Sequence, residues 1–245
     1  IENLGVLTNA TSSHAHSISD DGQVIVGQST ITITPDTEAF RWTQDSGMQG
    51  LGFLPGTSYS AALAASANGS VITGVSGFGP DARAFRWTLE SGMEDLGVLP
   101  GRTWSCGYDI SSDGSVVVGY SGNTTTRAFR WTQGSGMQDL GTFSGAYATH
   151  AYGVSGDGEN IVGFAYTNSG DRAFLWNDEL GMVDLNTYLP TIGLNLGTWT
   201  LKTAWGISTD GKAIVGLGSL NGVDRAFLLT SDSFPGPGPG PGPSV

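Results

Sequence analysis

The sequence predicts an all-β chain, a five-bladed β-propeller built from four-stranded repeats of about 45 residues. Three observations carry that prediction. First, one phrase recurs: "EAFRWTQDSGMQGLGFL" from Glu38, "RAFRWTLESGMEDLGVL" from Arg83 and "RAFRWTQGSGMQDLGTF" from Arg127. Second, three landmarks return five times at near-even spacing. Small-polar turns place a glycine at Gly22, Gly69, Gly114, Gly158 and Gly211, which are 47, 45, 44 and 53 residues apart. The "AF" pair begins at Ala39, Ala84, Ala128, Ala173 and Ala226, and an "LGxL"-like segment at Leu4, Leu51, Leu96, Leu140 and Leu185. Third, the ends complement each other. The chain opens on "IENLGVL", the fourth strand of a repeat, and its last repeat stops at "RAFLLT", a third strand. The N-terminal strand is therefore expected to complete the last blade and close the ring, leaving only short, protected sheet edges. An open β-solenoid is the competing architecture, but it has no use for complementary ends.

Within a repeat the strands follow from local chemistry. In the third copy, "GYDIS" reads as a first strand, and Asp113-Gly114 as a two-residue hairpin turn that tolerates positive φ. "SVVVGYS" is a continuous apolar run, as expected of a second strand buried on both faces. A variable loop leads to the third strand, "RAFRWT", and a Gly-Ser-Gly turn leads to the fourth, "MQDLGTF". Trp42, Trp87, Trp131 and Trp176, with Leu229 in the last copy, hold one repeated position and are expected to pack between blades. The turn carboxylates Asp20, Asp21, Asp113, Asp157 and Asp210 come one or two to a loop. Calcium needs several oxygens converging from one loop, so turn chemistry is the favoured role.

The landmarks "AFRWT…GMxDLGxL" and "IS.DG..VVG" resemble the extracellular HAF-repeat family, named for a His-Ala-Phe signature. Here that position reads "EAF" or "RAF", so the His itself is missing. The resemblance covers nearly all of residues 1–234, and the last copy is similar to the closing repeat of that family. It implies a bacterial protein that is secreted or displayed at the cell surface. It implies no reaction, because the family is defined by its repeat.

Composition narrows the function. The chain has 245 residues, 39 of them glycine, with 38% hydrophobic and 13% charged residues and a formal net charge of −12. It is too apolar for disorder. It lacks the basic face that nucleic acid requires and is repelled by anionic membranes. No stretch approaches the ~20 apolar residues of a membrane-spanning helix. Cys106 is the single cysteine, so no intrachain disulfide forms, and a buried inert thiol is expected there. The chain begins at Ile1 without a methionine, as a processed or trimmed product would.

Function should sit where the copies differ. The most variable stretch joins "LGxL" to the next "IS". Aligned on that serine, one column holds His16, Leu63, Tyr108, Tyr152 and Trp205. A second, two residues earlier, holds His14, Ala61, Cys106, His150 and Thr203. In a propeller all five connections gather on one face, which makes an aromatic rim of Trp104, Tyr108, Tyr147, Tyr152, Trp199 and Trp205 the candidate ligand or partner surface. Packing between blades is the competing role for Tyr108, Tyr152 and Trp205. His14, His16 and His150 have the chemistry for zinc, but His14 and His150 lie two blades apart, so no metal or other cofactor is expected. Catalysis is not expected either. Asp109 is the one acid on a presumed first strand, whereas glycoside hydrolysis needs paired carboxylates.

The terminal "FPGPGPGPGPSV" is expected to be an extended tail beyond a propeller of residues 1–233. Phe234, Pro235, Pro237 and Pro239 are its candidate assembly residues, docking on a neighbouring copy as Pro-rich segments dock on aromatic grooves. The resulting expectation is a non-enzymatic extracellular structural or adhesive protein that self-associates. A glycan-binding propeller is the alternative, and a polysaccharide-active enzyme stands third.

Overall fold

The structure, a computed structural model, describes residues 1–30, 36–232 and 234. The chain divides into two compact units, residues 1–139 and 140–245. The first holds three four-stranded antiparallel sheets. They are β1 (Ser12–Ile18), β2 (Ile25–Thr30), β3 (Thr37–Thr43) and β4 (Gly47–Gly50); β5 (Ser60–Ala65), β6 (Val71–Ser76), β7 (Arg83–Thr88) and β8 (Gly92–Asp95); and β9 (Trp104–Ile110), β10 (Val116–Gly122), β11 (Thr126–Thr132) and β12 (Gly136–Asp139). The second unit holds a four-stranded sheet of β13 (Ala146–Val154), β14 (Ile161–Thr167), β15 (Arg172–Asn177) and β16 (Gly181–Asp184). Helix α1 (Leu185–Thr191) follows, and then a three-stranded sheet of β17 (Trp199–Ile207), β18 (Ala213–Leu220) and β19 (Val223–Thr230). In every sheet, strands adjacent in sequence are adjacent in space. This is the meander expected of propeller blades.

The hairpin turns explain the repeated serine-aspartate-glycine wording. Ser19 and Ser111 are buried, and their hydroxyls donate to Asp21 and Asp113 Oδ1 at 2.6 and 2.7 Å. Each hydroxyl also accepts the backbone N–H five residues on, from Val24 and Val116, at 3.0 Å. Ser155–Asp157 and Ser208–Asp210 repeat the arrangement, and Ser66–Asn68 repeats it with an amide. The carboxylates of Asp21, Asp113, Asp157 and Asp210 are therefore structural. The Ser19 and Ser208 hydroxyls are the largest influence holding the Asp21 and Asp210 carboxyls below their usual range. Neighbouring turns also join through backbone bonds, Asp21 N–H to Ala67 O and Ala67 N–H to Ser112 O in the first unit, and Gly156 N–H to Thr209 O in the second.

A second set of serines joins one sheet to the next. The buried Ser60 hydroxyl accepts the Ala39 N–H at 2.8 Å and donates to the Gly52 carbonyl at 2.7 Å. Ser105 does the same with Ala84 N–H and Gly97 O, at 2.9 and 2.6 Å. One hydroxyl thus ties the first strand of a sheet to the third strand and the closing turn of the sheet before it. Around these links the "AF" phenylalanines Phe40, Phe85, Phe129 and Phe174 are wholly buried. The tryptophans two residues later stay half-buried, and Trp87 and Trp131 lean on the cores from outside.

Four details differ from the sequence expectation. The "LGxL" segments are not strands: β4, β8 and β12 end before them, because the glycine in each adopts positive φ, 77° at Gly52 and 79° at Gly97. Residues 1–7 likewise form no strand. They reproduce the post-strand turn instead: Gly5 has φ 80°, and Asn3 Oδ1 accepts its N–H at 3.0 Å, as Asp95 Oδ1 accepts that of Gly97 at 2.7 Å. Helix α1 has no counterpart in the all-strand reading of the repeats. It accounts for the long final connection, is capped by Asp184 and buries Leu185 and Leu189. Finally, Phe234, expected to anchor a free tail, is only 5% exposed and belongs to the core of the second unit. It is not available to a neighbouring copy. Pro235, Pro237 and Pro239 lie outside the described residues.

Each first strand carries a β-bulge, and each second strand a glycine that makes room for it. A Cβ on Gly27, Gly74, Gly119, Gly163 or Gly216 would lie 1.9–2.0 Å from the carbonyl oxygen of His14, Ala61, Cys106, His150 or Thr203, respectively. Gly119→Ala is therefore expected to cost about 3 kcal/mol of stability by overpacking against backbone. Gly134→Ala, in the same repeat with open space around it, should change stability by less than about 0.5 kcal/mol. Urea denaturation of both variants checks this, and equal costs would contradict it.

Candidate functional site: an aromatic surface built on bulged strands

The bulges fall on the variable column. The strand registers slip at His16, Leu63, Tyr108, Tyr152 and Trp205, which the Cα pairing of the ladder skips. A bulge leaves one residue out of the ladder and re-aims its side chain. None of the five is buried, although the residues on either side of four of them are mostly enclosed. In the second unit the first strands are longer and slip twice, which puts Tyr147 on β13 and Lys202 on β17 at bulges as well.

These devices gather aromatic rings in the second unit. Trp205 packs on Tyr152 with centroids 4.9 Å apart, and Tyr152 stacks on Phe164 of β14 at 5.6 Å with planes 5° apart. Phe164 meets Tyr166 at 4.9 Å and His150 at 5.2 Å. Tyr166 reaches Tyr147 at 6.2 Å, nearly parallel. The six rings form a continuous patch. Its two ends are open: Trp205 is 50% and Tyr147 51% exposed. Phe164 is the buried floor. Polar groups are interleaved, since Tyr152 Oη lies 3.4 Å from His150 Nδ1. Burial lowers the His150 pKa from 6.5 to about 4, so the ring is neutral at neutral pH. Two residues before Trp205, the buried Thr203 hydroxyl has no hydrogen-bond partner among the described residues. Buried hydroxyls are rarely left so.

The first unit holds a smaller set. Tyr108 stacks on Tyr120 at 5.3 Å with the hydroxyls 3.4 Å apart, and Trp104 meets Tyr120 edge-on at 5.5 Å. Of the six candidates, Tyr147, Tyr152 and Trp205 thus share one surface, and Trp104 and Tyr108 share another. Trp104 and Trp199 are more embedded than expected. Each starts its strand and lies over a glycine of the next, Gly122 and Gly218, and Trp199 packs on the core of the second unit. Sequence reasoning missed Tyr120, Phe164 and Tyr166. The residue after each second-strand glycine pairs with the second variable column, Tyr120 with Cys106 and Phe164 with His150. Pairing the two strands as a ladder is the signal that finds them.

The other candidate chemistry is accounted for. Cys106 is buried, which pushes its thiol to about 12. Among the described residues, no group of three or more His, Cys, Asp or Glu could hold a metal ion. No described helix is long and apolar enough to cross a membrane.

No protein-family model matches the chain, and no curated protein matches it, so the likeness to the HAF repeat gains no support from either. Solved structures do match. TolB from Acinetobacter baumannii is similar over 90% of this chain and 55% of its own, at 15% identity and a TM-score of 0.57. Prolyl oligopeptidase B from Galerina marginata is similar over 93% of this chain and 35% of its own, at 10% identity and a TM-score of 0.57. An oligogalacturonate lyase in complex with manganese is similar over 89% of this chain and 61% of its own, at 12% identity and a TM-score of 0.56. The chain therefore spans between about a third and three fifths of these proteins. At such low identity the likeness speaks for fold alone: this is a repeat chain with a β-propeller-like fold.

Proposed function

We propose that the chain is a non-enzymatic extracellular adhesive module that binds glycans of a surface polymer through the aromatic patch on β13, β14 and β17. The observation that carries this reading is the continuity of the patch between two half-exposed rings, Trp205 and Tyr147. Ring faces attract the C–H face of a pyranose. The tyrosine hydroxyls of the patch supply the short polar contacts that fix a sugar. Extracellular placement rests on the HAF-like repeat. Self-association through the tail is the weaker reading, because Phe234 is enclosed in its own unit.

The scaffold we propose for it is a five-bladed ring closed by the N-terminus. Two local facts support closure. Residues 1–7 carry the turn that follows a fourth strand, so Ile1–Asn3 correspond to Met93–Asp95, and the β17–β18–β19 sheet has three strands. Deleting residues 1–7 should lower the thermal midpoint by ten degrees or so, on the order of 2–3 kcal/mol for a chain this long. An unchanged midpoint would sink closure.

Binding is tested separately. The full chain is screened on a glycan array, and the best sugar is titrated against Trp205→Ala and Tyr147→Ala by calorimetry. Each variant is expected to bind at least tenfold more weakly with a midpoint near that of the parent, since both side chains are half-exposed. Absence of any sugar ligand, or affinity unchanged by both variants, would refute the proposal.

A further inference from the structure

A cleft of about 800 Å³ opens in the first unit, between the first two sheets and on their hairpin-turn side. It lies within the range of small-ligand sites. Arg41 of β3 and Gln49 of β4 line one wall, with Gln44 and Asp45 from the turn between those strands. Asn68 and the half-buried Trp87 of β7 line the other. None of these residues belongs to the aromatic patch.

The cleft differs from its counterpart one repeat on in a consistent direction. There, Arg86 sits opposite Glu94 in the ladder, and the guanidinium reaches that carboxylate at 3.6 Å. Here, Arg41 sits opposite Gln49. Among the described residues Arg41 makes no ion pair and no side-chain hydrogen bond. The turn residue has changed too. Asn68 stands where Asp113 stands in the next repeat, and its Oδ1 still accepts the turn N–H from Ser70 at 3.0 Å while its amide N–H groups remain to donate. Both changes remove a carboxylate beside Arg41, on a chain whose net charge is −12. Asp45 corresponds to Glu90, so the remaining acid is common to both repeats.

The geometry points to a binding site for an acidic sugar, a pyranose bearing a carboxylate. The Arg41 fork suits a carboxylate in bidentate contact. The Trp87 ring offers a face for the C–H side of the pyranose. Gln44, Gln49 and Asn68 offer donors and acceptors to its hydroxyls, and Asp45 accepts from them. This site is independent of the patch on the second unit.

The test uses the full chain and two probes, β-1,4-linked tetraglucuronate and its neutral counterpart cellotetraose, titrated by calorimetry at low salt. The acid is expected to bind at least tenfold more tightly than the neutral sugar and to weaken as salt is raised. Arg41→Gln should remove that preference. Gln49→Glu, which restores the pair seen at Arg86 and Glu94, should remove it equally and leave the melting temperature unchanged. Trp205→Ala should have no effect on it. The inference is overturned if tetraglucuronate fails to bind, if it binds no better than cellotetraose, if Arg41→Gln or Gln49→Glu leaves its affinity intact, or if the loss follows Trp205→Ala instead.

Discussion

In the first unit, a single buried hydroxyl carries each join between neighbouring sheets. Ser60 and Ser105 each accept an N–H from the preceding sheet's third strand and donate to the carbonyl of its closing turn. The backbone groups they satisfy lie away from water, where an orphaned donor costs about 1–3 kcal/mol. The join fixes how one sheet meets the next. That in turn sets where the wholly buried Phe40 and Phe85 sit and how the turns link. The repeated wording of the sequence follows. Alanine precedes phenylalanine where the serine approaches, and glycine at positive φ offers the carbonyl.

The first strands of all five sheets also depart from regular pairing. The bulge at the variable column and the glycine facing it form one device, repeated five times. The bulge frees a side chain from the ladder without disturbing the strands outside it. Sequence divergence is concentrated at that position, from His16 to Trp205, while the neighbouring glycine does not vary. Scaffold and recognition are thereby separated within one strand. The same economy explains local exchanges. Where Gly50 replaces the aspartate of the other fourth strands, Glu38 on the adjacent strand supplies the carboxylate that accepts the Gly52 N–H.

Most of the architecture is legible in the sequence, because a repeat of about 45 residues displays its turns and apolar runs several times over. Tyr152 and Trp205 are legible as variable residues at one column. Their contact through a shared patch is not, since Phe164 and Tyr166 come from the neighbouring strand and become visible only through the ladder. The bulges are hidden because an extra residue leaves no mark on the alternation of a single strand. Helix α1 is hidden because seven residues, one of them Pro190, carry a weak periodic pattern beside a long loop. Phe234 misleads because the Pro-Gly run after it masks a residue that completes the core with Leu185 and Leu189. The cleft at Arg41 is obscure for a different reason. Its distinguishing feature is the loss of a partner, and that requires knowing that Gln49 lies opposite.

The most direct measurement is amide hydrogen exchange at Ala84 in Ser105→Ala beside the parent chain, with urea denaturation of both. If the serine is the join, the Ala84 amide loses its protection and stability falls by about 2 kcal/mol, the cost of a buried donor left without a partner. If the Ala84 amide stays as protected as in the parent and stability is unchanged, apolar packing alone holds the sheets together, and the serine hydroxyl is not the join.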